Sequence, residues 1–302
     1  MDQTAMKCAA AAYPLDPLTR FADFDAKITA WVAEAADGGA EIAIFPEYGA
    51  MELAHLAGPS VAADLEGSLR AVSDIWPEAD ALFSRLAVQH GLALLAPSAP
   101  IFDQDYGLRP VNRACIYGAQ GRIGHQDKQI MTRFEREIWH VQSGGPLQVF
   151  DFGDLRVGVL ICYDAEFPLL ARALVEAGVD LLLVPSCTDS GAGYWRVRVG
   201  AMARALEGQC AVLQSPTVGQ AAWSPAVDEN HGAAAIYGPA EAGFCDNGVF
   251  AEGAMNKPGW VMADIDLGRL RDLRQNGTVL TRRDWSESAT RTALVPQVKD
   301  LP

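Results

Sequence analysis

The stretch "VGVLICYDAEFP", residues 157–168, decides how this chain is read. Val157 to Ile161 is an apolar run with the composition of a buried strand. It stops at Cys162. Two acids, Asp164 and Glu166, follow, and Pro168 is placed to open a helix. A residue on a tight strand-to-helix turn is presented to a pocket, with backbone N–H groups beside it. Free cysteine is also among the most buried residue types, so a core thiol is the plainer reading of Cys162. A reactive thiol needs a cation or a base nearby. The neighbours in sequence are acids, so that partner must come from elsewhere in the chain.

Outward from this point, short apolar runs recur at 41–45, 92–97, 113–118, 147–152, 156–162, 180–185 and 210–215, and they read as strands. Helical spacing runs over Phe24 to Ala36, Leu69 to Gln89, Pro168 to Ala177 and Trp195 to Glu207. Some strands follow one another through short turns, at 119–122 and 152–155. The chain therefore mixes βα units with hairpins, and a purely doubly wound sheet is not required. "AADGGAEIAIFPE" (35–47) echoes "VEAGVDLLLVPS" (175–186). Two similar halves with strand ends opening at one place would produce the echo; the common form of helix-to-strand joins produces it too, and is the simpler reading. A single domain over 1–302 is expected, with a less patterned tail from about Thr281 that could reach a neighbouring copy.

The chain has 302 residues, half of them hydrophobic, and a formal net charge of −14. That charge argues against nucleic acid as a partner, because phosphate binding needs basic faces. No apolar run reaches the roughly 18 residues of a membrane span. The N-terminus lacks a basic start with a long apolar stretch, so no signal peptide is expected and a cytoplasmic setting is. The six cysteines are scattered without a Cys-x-x-Cys pair, and no His-x-x-x-His occurs. No metal and no cofactor are expected.

Two further stretches carry candidate chemistry. In "IAIFPEYGAME" (42–52) the strand runs into Pro46, which cannot continue a central strand, so Glu47 lies at its exit. Alone, Glu47 reads as a solvated acid. In "GHQDKQIMTRFEREIW" (124–139) Lys128 follows a hairpin, with Glu135 and Glu137 beyond it. A mixed-charge run is usually surface. Met131, Phe134, Ile138 and Trp139 instead suggest partial burial, and a buried lysine needs acidic partners. His125 and His140 could serve as a base in a Cys–His hydrolase, but neither sits in a recognisable motif. No Gly-x-Ser-x-Gly occurs.

Taken together, these three stretches resemble the carbon–nitrogen hydrolases of the nitrilase superfamily. In that family a Glu after a strand, a Lys after a later strand and a Cys after another come in this chain order; here they read as Glu47, Lys128 and Cys162. "GVLICYDAEFPLLAR" (158–172) is similar to the nucleophile segment, residues 181–215 to the strand–loop–helix–strand that follows, and 259–274 to a closing strand and helix. The chain departs from the family at "KQIMTRFE", at Glu166 in place of a frequent basic residue, and at Gly208 in place of a frequent Asn.

The resemblance implies an α+β (α/β) fold, the four-layer αββα sandwich. It implies a cysteine-dependent hydrolase of small carboxamides working through a thioester. Nitrile hydrolysis, N-carbamoyl-amine hydrolysis and a silent binding member stay open. Lys128 would sit between Glu47 and Glu135 and favour the Cys162 thiolate, with Glu47 as general base and Glu137 as the alternative second acid. The Tyr163 backbone N–H would help hold the oxyanion. Tyr48, Phe134, Trp139, Cys187 and Trp195 are expected as pocket walls. A homodimer or higher homo-oligomer, paired through outer helices and C-terminal segments, is implied as well.

Overall fold

The structure, a computed structural model, describes residues 5–242 and 244–299. In chain order the first half contains β1 (Ala5–Pro14), α1 (Phe21–Asp37), β2 (Ile42–Ile44), α2 (Pro59–Ala62), α3 (Leu65–His90), β3 (Ala93–Leu95), β4 (Ala99–Ile101), β5 (Val111–Gly118) and β6 (Gly121–Asp127). The second half contains α4 (Arg133–Glu137), β7 (Val149–Asp151), β8 (Arg156–Val159), α5 (Pro168–Glu176), β9 (Leu181–Ser186), α6 (Gly191–Gly208), β10 (Ala211–Gln220), β11 (Glu229–Asn230), β12 (Ala235–Tyr237), β13 (Val249–Glu252) and β14 (Gly259–Asp266). Two helices close it, α7 (Leu267–Asn276) and α8 (Thr281–Thr292).

The strands form two sheets. One runs β4-β5-β3-β2-β1, with β6 on β5 and β14 antiparallel to β1 from Ala5↔Asp266 to Ala12↔Gly259. The other runs β10-β9-β8-β7, with β12 on β10 and β13 on β12. The two join where β1 and β10 run parallel for two pairs, Tyr13↔Thr217 and Pro14↔Val218.

Alternation along β1 explains the layering. Successive side chains of a strand point to opposite faces. Cys8, Ala10 and Ala12 join Ile42, Ile44, Leu95 and Ile116 in one core with Val157, Val159, Leu181 and Leu183 of the other sheet. Ala9, Ala11 and Tyr13 join Phe45, Leu94 and Tyr117 in a second core with Phe24, Ile28 and Val32 of α1 and Leu82, Phe83 and Leu86 of α3. Both faces are buried, so the strands read as continuous apolar runs. On the far side Leu174 of α5 lies over Gly158, where an added Cβ would come 2.9 Å from Leu174 Cδ1. The result is the αββα sandwich, helices outside two face-to-face sheets.

Element boundaries differ from the sequence expectation in two informative places. The strand expected over 156–162 ends at Val159, because Cys162 to Glu166 winds into a 3₁₀ turn. The unpatterned tail contains α8, which docks on its own chain. Arg282 donates to the carbonyls of Val175 (2.8 Å), Val179 (3.2 Å) and Gly208 (3.4 Å). The guanidinium thus ties α8 to the C-terminal ends of α5 and α6 and to the turn after α5. Among the described residues, no helix is long and apolar enough to cross a membrane.

Candidate active site

The exits of β2, β6 and β8 open at one place. Glu47 lies three residues past the end of β2 and is buried. The chain turns at once: Tyr48 takes a left-handed backbone with φ 52° and donates its N–H to Ser98 Oγ at 2.9 Å. Gly49 is required next, since a Cβ there would come 2.9 Å from Pro97 Cβ. Lys128 directly follows β6, and its N–H donates to the Asn112 carbonyl on β5 at 2.9 Å. Cys162 has φ 51°, a left-handed conformation that costs a non-glycine residue roughly 1–2 kcal/mol. Asp164 holds this elbow. Its carboxylate accepts from Ile161 N at 3.3 Å, Ile130 N at 2.8 Å and Gln129 N at 3.1 Å. The cysteine turn and the lysine loop are thereby tied to one carboxylate.

Lys128 Nζ lies 2.7 Å from Glu47 Oε1 and 2.6 Å from Glu135 Oε2, and all three side chains are buried. Glu135 sits on α4 in a capping box. Thr132 Oγ1 accepts from Glu135 N, and Glu135 Oε2 accepts from Thr132 N at 2.9 Å. Tyr48 OH donates to Glu135 Oε1 at 2.8 Å. Asn112 Nδ2 donates to Glu47 Oε1 at 3.0 Å and lies 3.3 Å from Glu135 Oε1. Cys187 N donates to Glu47 Oε2 at 3.0 Å. Glu47 and Cys187 follow the two echoing strands, β2 and β9. The echo therefore marks two strand ends that open together, against the simpler reading of it.

Environment separates the two acids. Burial pushes Glu47 above the usual carboxylate range, and the pull of Lys128 only partly offsets it. Burial also pushes Glu135 up, but the charge and hydrogen bond of Lys128, with Thr132 and Tyr48, hold it below that range. Burial opposes the charge on Lys128, yet Glu135 and Glu47 together hold the ammonium firmly protonated. Lys128 pulls the Cys162 thiol toward ionisation, as expected, but does not prevail. Burial first, and the Glu47 carboxylate second, raise this thiol well above the ordinary value despite Lys128. The raised proton affinity of the sulfur makes a base that takes its proton part of any attack.

Glu47, Lys128, Glu135 and Cys162 all line one cavity of about 370 Å³, together with Tyr48, Phe134, Trp139, Tyr163 and Cys187. The Tyr163 N–H is given to no acceptor among the described residues. Trp195 is not in this cavity. It stands on the outer face of α6, 54% exposed, beside Arg198. Trp195 lies two residues, about 200° of helical turn, from the inward-facing Val197. Glu137 is likewise excluded as the second acid, since it is exposed and pairs with Arg133 at 2.8 Å. Asn112 and Asp164 were missed as site residues. The signal for Asn112 is an amide within the strand "VNRACIYG"; only its partners give it meaning. Among the described residues no group of three or more His, Cys, Asp or Glu side chains is placed to hold a metal ion.

A buried Glu–Lys–Glu cluster facing a strand-end thiol defines a cysteine-centred site on an αββα sandwich. The carbon-nitrogen hydrolase family matches residues 9–275, and the chain belongs to that family. It is 30% identical over 275 residues to the probable hydrolase YhcX of Bacillus subtilis, covering 90% of this chain and 52% of that protein. It is 33% identical over 130 residues to the human deaminated glutathione amidase, covering 42% of this chain and 36% of that protein. The chain thus spans about half or less of these curated relatives. In structure it is similar to an amidase from Nesterenkonia sp. AN1 solved in complex with acrylamide. The TM-score is 0.67 at 19% identity, with 97% of this chain and 99% of that one covered.

Proposed function

We propose that the protein is an amidase that converts a small carboxamide to a carboxylic acid and ammonia through a thioester on Cys162. The observation that carries this is the position of Lys128, clamped between Glu47 and Glu135 in the cavity that Cys162 lines. Glu47, the acid of raised proton affinity, takes the thiol proton while the sulfur attacks the amide carbon. Negative charge develops on the carbonyl oxygen, where Lys128 and the Tyr163 N–H stabilise it; one such donor is typically worth roughly 3–4 kcal/mol of barrier. Glu47 hands its proton to the leaving nitrogen as the C–N bond breaks. It then takes a proton from water, hydroxide attacks the thioester, the C–S bond breaks, and the proton returns to sulfur. Glu135, held ionised, keeps Lys128 charged and oriented throughout.

The test is exposure of the protein to pooled amides, nitriles and N-carbamoyl amines, followed by mass spectrometry of the intact chain and its peptides. An acyl mass on Cys162, with ammonia released, is the expected result. Cys162→Ala, Glu47→Gln and Lys128→Ala each abolish ammonia release. Near-normal turnover in any of them would end this mechanism. A nitrile or carbamoyl compound as the only productive class would keep the site and replace the substrate.

We also propose a homo-oligomer. Trp195, Val199 and Leu206 on α6 and Leu169 on α5 leave an apolar face on the outer helical layer. Light scattering that returns only a single-chain mass would refute it. The six cysteines, all unpaired in the fold, suit a reducing compartment, and we place the protein in the cytoplasm.

A further inference from the structure

Asn112 stands on β5 with no solvent exposure, between the two acids that hold Lys128. Its Nδ2 reaches Oε1 of Glu47 at 3.0 Å and Oε1 of Glu135 at 3.3 Å. Its Oδ1 is buried and has no donor partner among the described residues. Turning the amide over would set that oxygen against two carboxylates, so the acids themselves fix which way Asn112 points. A buried acceptor left without a donor costs free energy. Half of the amide thus goes unsatisfied so that the other half can bridge the two acids.

The consequence lies in how donors divide between the two oxygens of Glu47. Oε1 accepts from Lys128 Nζ and from Asn112 Nδ2. Among the described residues Oε2 accepts from one backbone donor, Cys187 N. The same Cys187 residue offers its carbonyl 3.9 Å from Cys162 Sγ. Protonating Oε1 would set the new proton against two donors already in place. Oε2 keeps a spare lone pair, and it is bonded to Cys187, the residue whose carbonyl faces the thiol.

We propose that Asn112 is a positioning residue of the reaction: by bridging Glu47 and Glu135 it commits Oε1 of Glu47 to fixed donors and leaves Oε2 to take the Cys162 proton. The proposal rests on the reading of Glu47 as the general base. A donor amide also favours the ionised form of Glu47. Removing it makes Glu47 harder to ionise and frees the carboxylate to turn away from the sulfur. The loss falls on turnover and on pH dependence more than on substrate binding, because Asn112 lies behind the acids rather than on the cavity wall.

The experiment uses the full chain. Cys162 alkylation by iodoacetamide is mapped by mass spectrometry across pH, and kcat and KM are measured on an amide identified as a substrate. Asn112→Ser is expected to lower kcat/KM roughly 10- to 100-fold, chiefly through kcat, and to move the acid limb of both profiles upward by about one pH unit. Asn112→Asp, which adds a third buried carboxylate, moves the limb further in the same direction. A folded Asn112→Ser protein whose limbs stay in place would make Asn112 merely structural and overturn the proposal. Should Asn112→Ser fail to fold, the near-isosteric Asn112→Asp carries the same test, and unmoved limbs there overturn it equally. Glu47→Gln separates the two levels of inference. If it alkylates with the wild-type profile, the base assignment itself fails. A profile that depends on Glu47 but ignores Asn112 defeats only the role of Asn112.

Discussion

Glu47 and Glu135 are the same residue type, each bonded to the same ammonium, yet their proton affinities are shifted in opposite directions. Burial, with the Glu135 charge beside it, pushes Glu47 up against Lys128; Glu135 collects Lys128, Thr132 and Tyr48 and is held down. Two acids driven apart by their surroundings divide the labour between base and counter-ion. This sets the sign of a pH effect. The base works only when ionised, so activity is lost as pH falls through the raised value of Glu47. The acid limb of kcat/KM is therefore expected above the ordinary glutamate value of 4.5. A rate profile flat down to that pH would contradict the assignment. Stability responds in the reverse sense. The burial cost of ionised Glu47 is absent in acid and appears as pH rises through its folded value, whereas the contribution of Glu135 is present above its unfolded value and fades as acid protonates it.

At the scale of the element, α4 is only five residues long, from Arg133 to Glu137, and cannot hold itself by helix propensity. Its start is fixed by Thr132, whose hydroxyl and backbone both bond with Glu135. The cap and the counter-ion are thus one device. Thr132→Ala is expected to cost about 1 kcal/mol in chemical denaturation and to reduce kcat more than that stability loss explains. Stability loss with unchanged kcat would show that the cap does not position Glu135. Elements also account for where sequence reading stopped short. Of the residues near Lys128, Met131 and Trp139 are buried as expected, but Phe134 and Ile138 remain 40% and 52% exposed. The segment is half wall and half surface. Glu135 and Glu137 differ only in which side of that short helix they face, and a two-residue step reverses the side.

At the scale of the molecule, the sandwich depends on small residues where the sheets meet. The run Ala9–Ala12 of β1 is buried on both faces, with Ala10 and Ala12 toward the other sheet and Ala9 and Ala11 toward the helices. Ala10→Leu inserts three carbons between layers that have no room for them. It is expected to destabilise by about 1–3 kcal/mol, or more if the sheets separate. An unchanged denaturation midpoint would mean that the sheets are not in close contact there. The apolar runs, the helical spacing and the order Glu47, Lys128, Cys162 were legible in the sequence, because burial on both faces writes a strand as continuous hydrophobicity and the motifs flank those strands directly. Asn112, Asp164 and the outward position of Trp195 were not. Asn112 lies 65 residues from Glu47 and 23 from Glu135, and bonds to both across the site. Asp164 lies 34 residues from Ile130. Sequence by itself determined seven of the strands and the residue types at their exits, but not β1, whose alanine-rich run Ala5–Pro14 lacks the β-branched residues that mark a strand. Only the tertiary structure decided which exits share a cavity, how donors divide between the oxygens of Glu47, and that burial raises the proton affinity of the sulfur, since each of these is set by distances between parts of the chain that have no local relation.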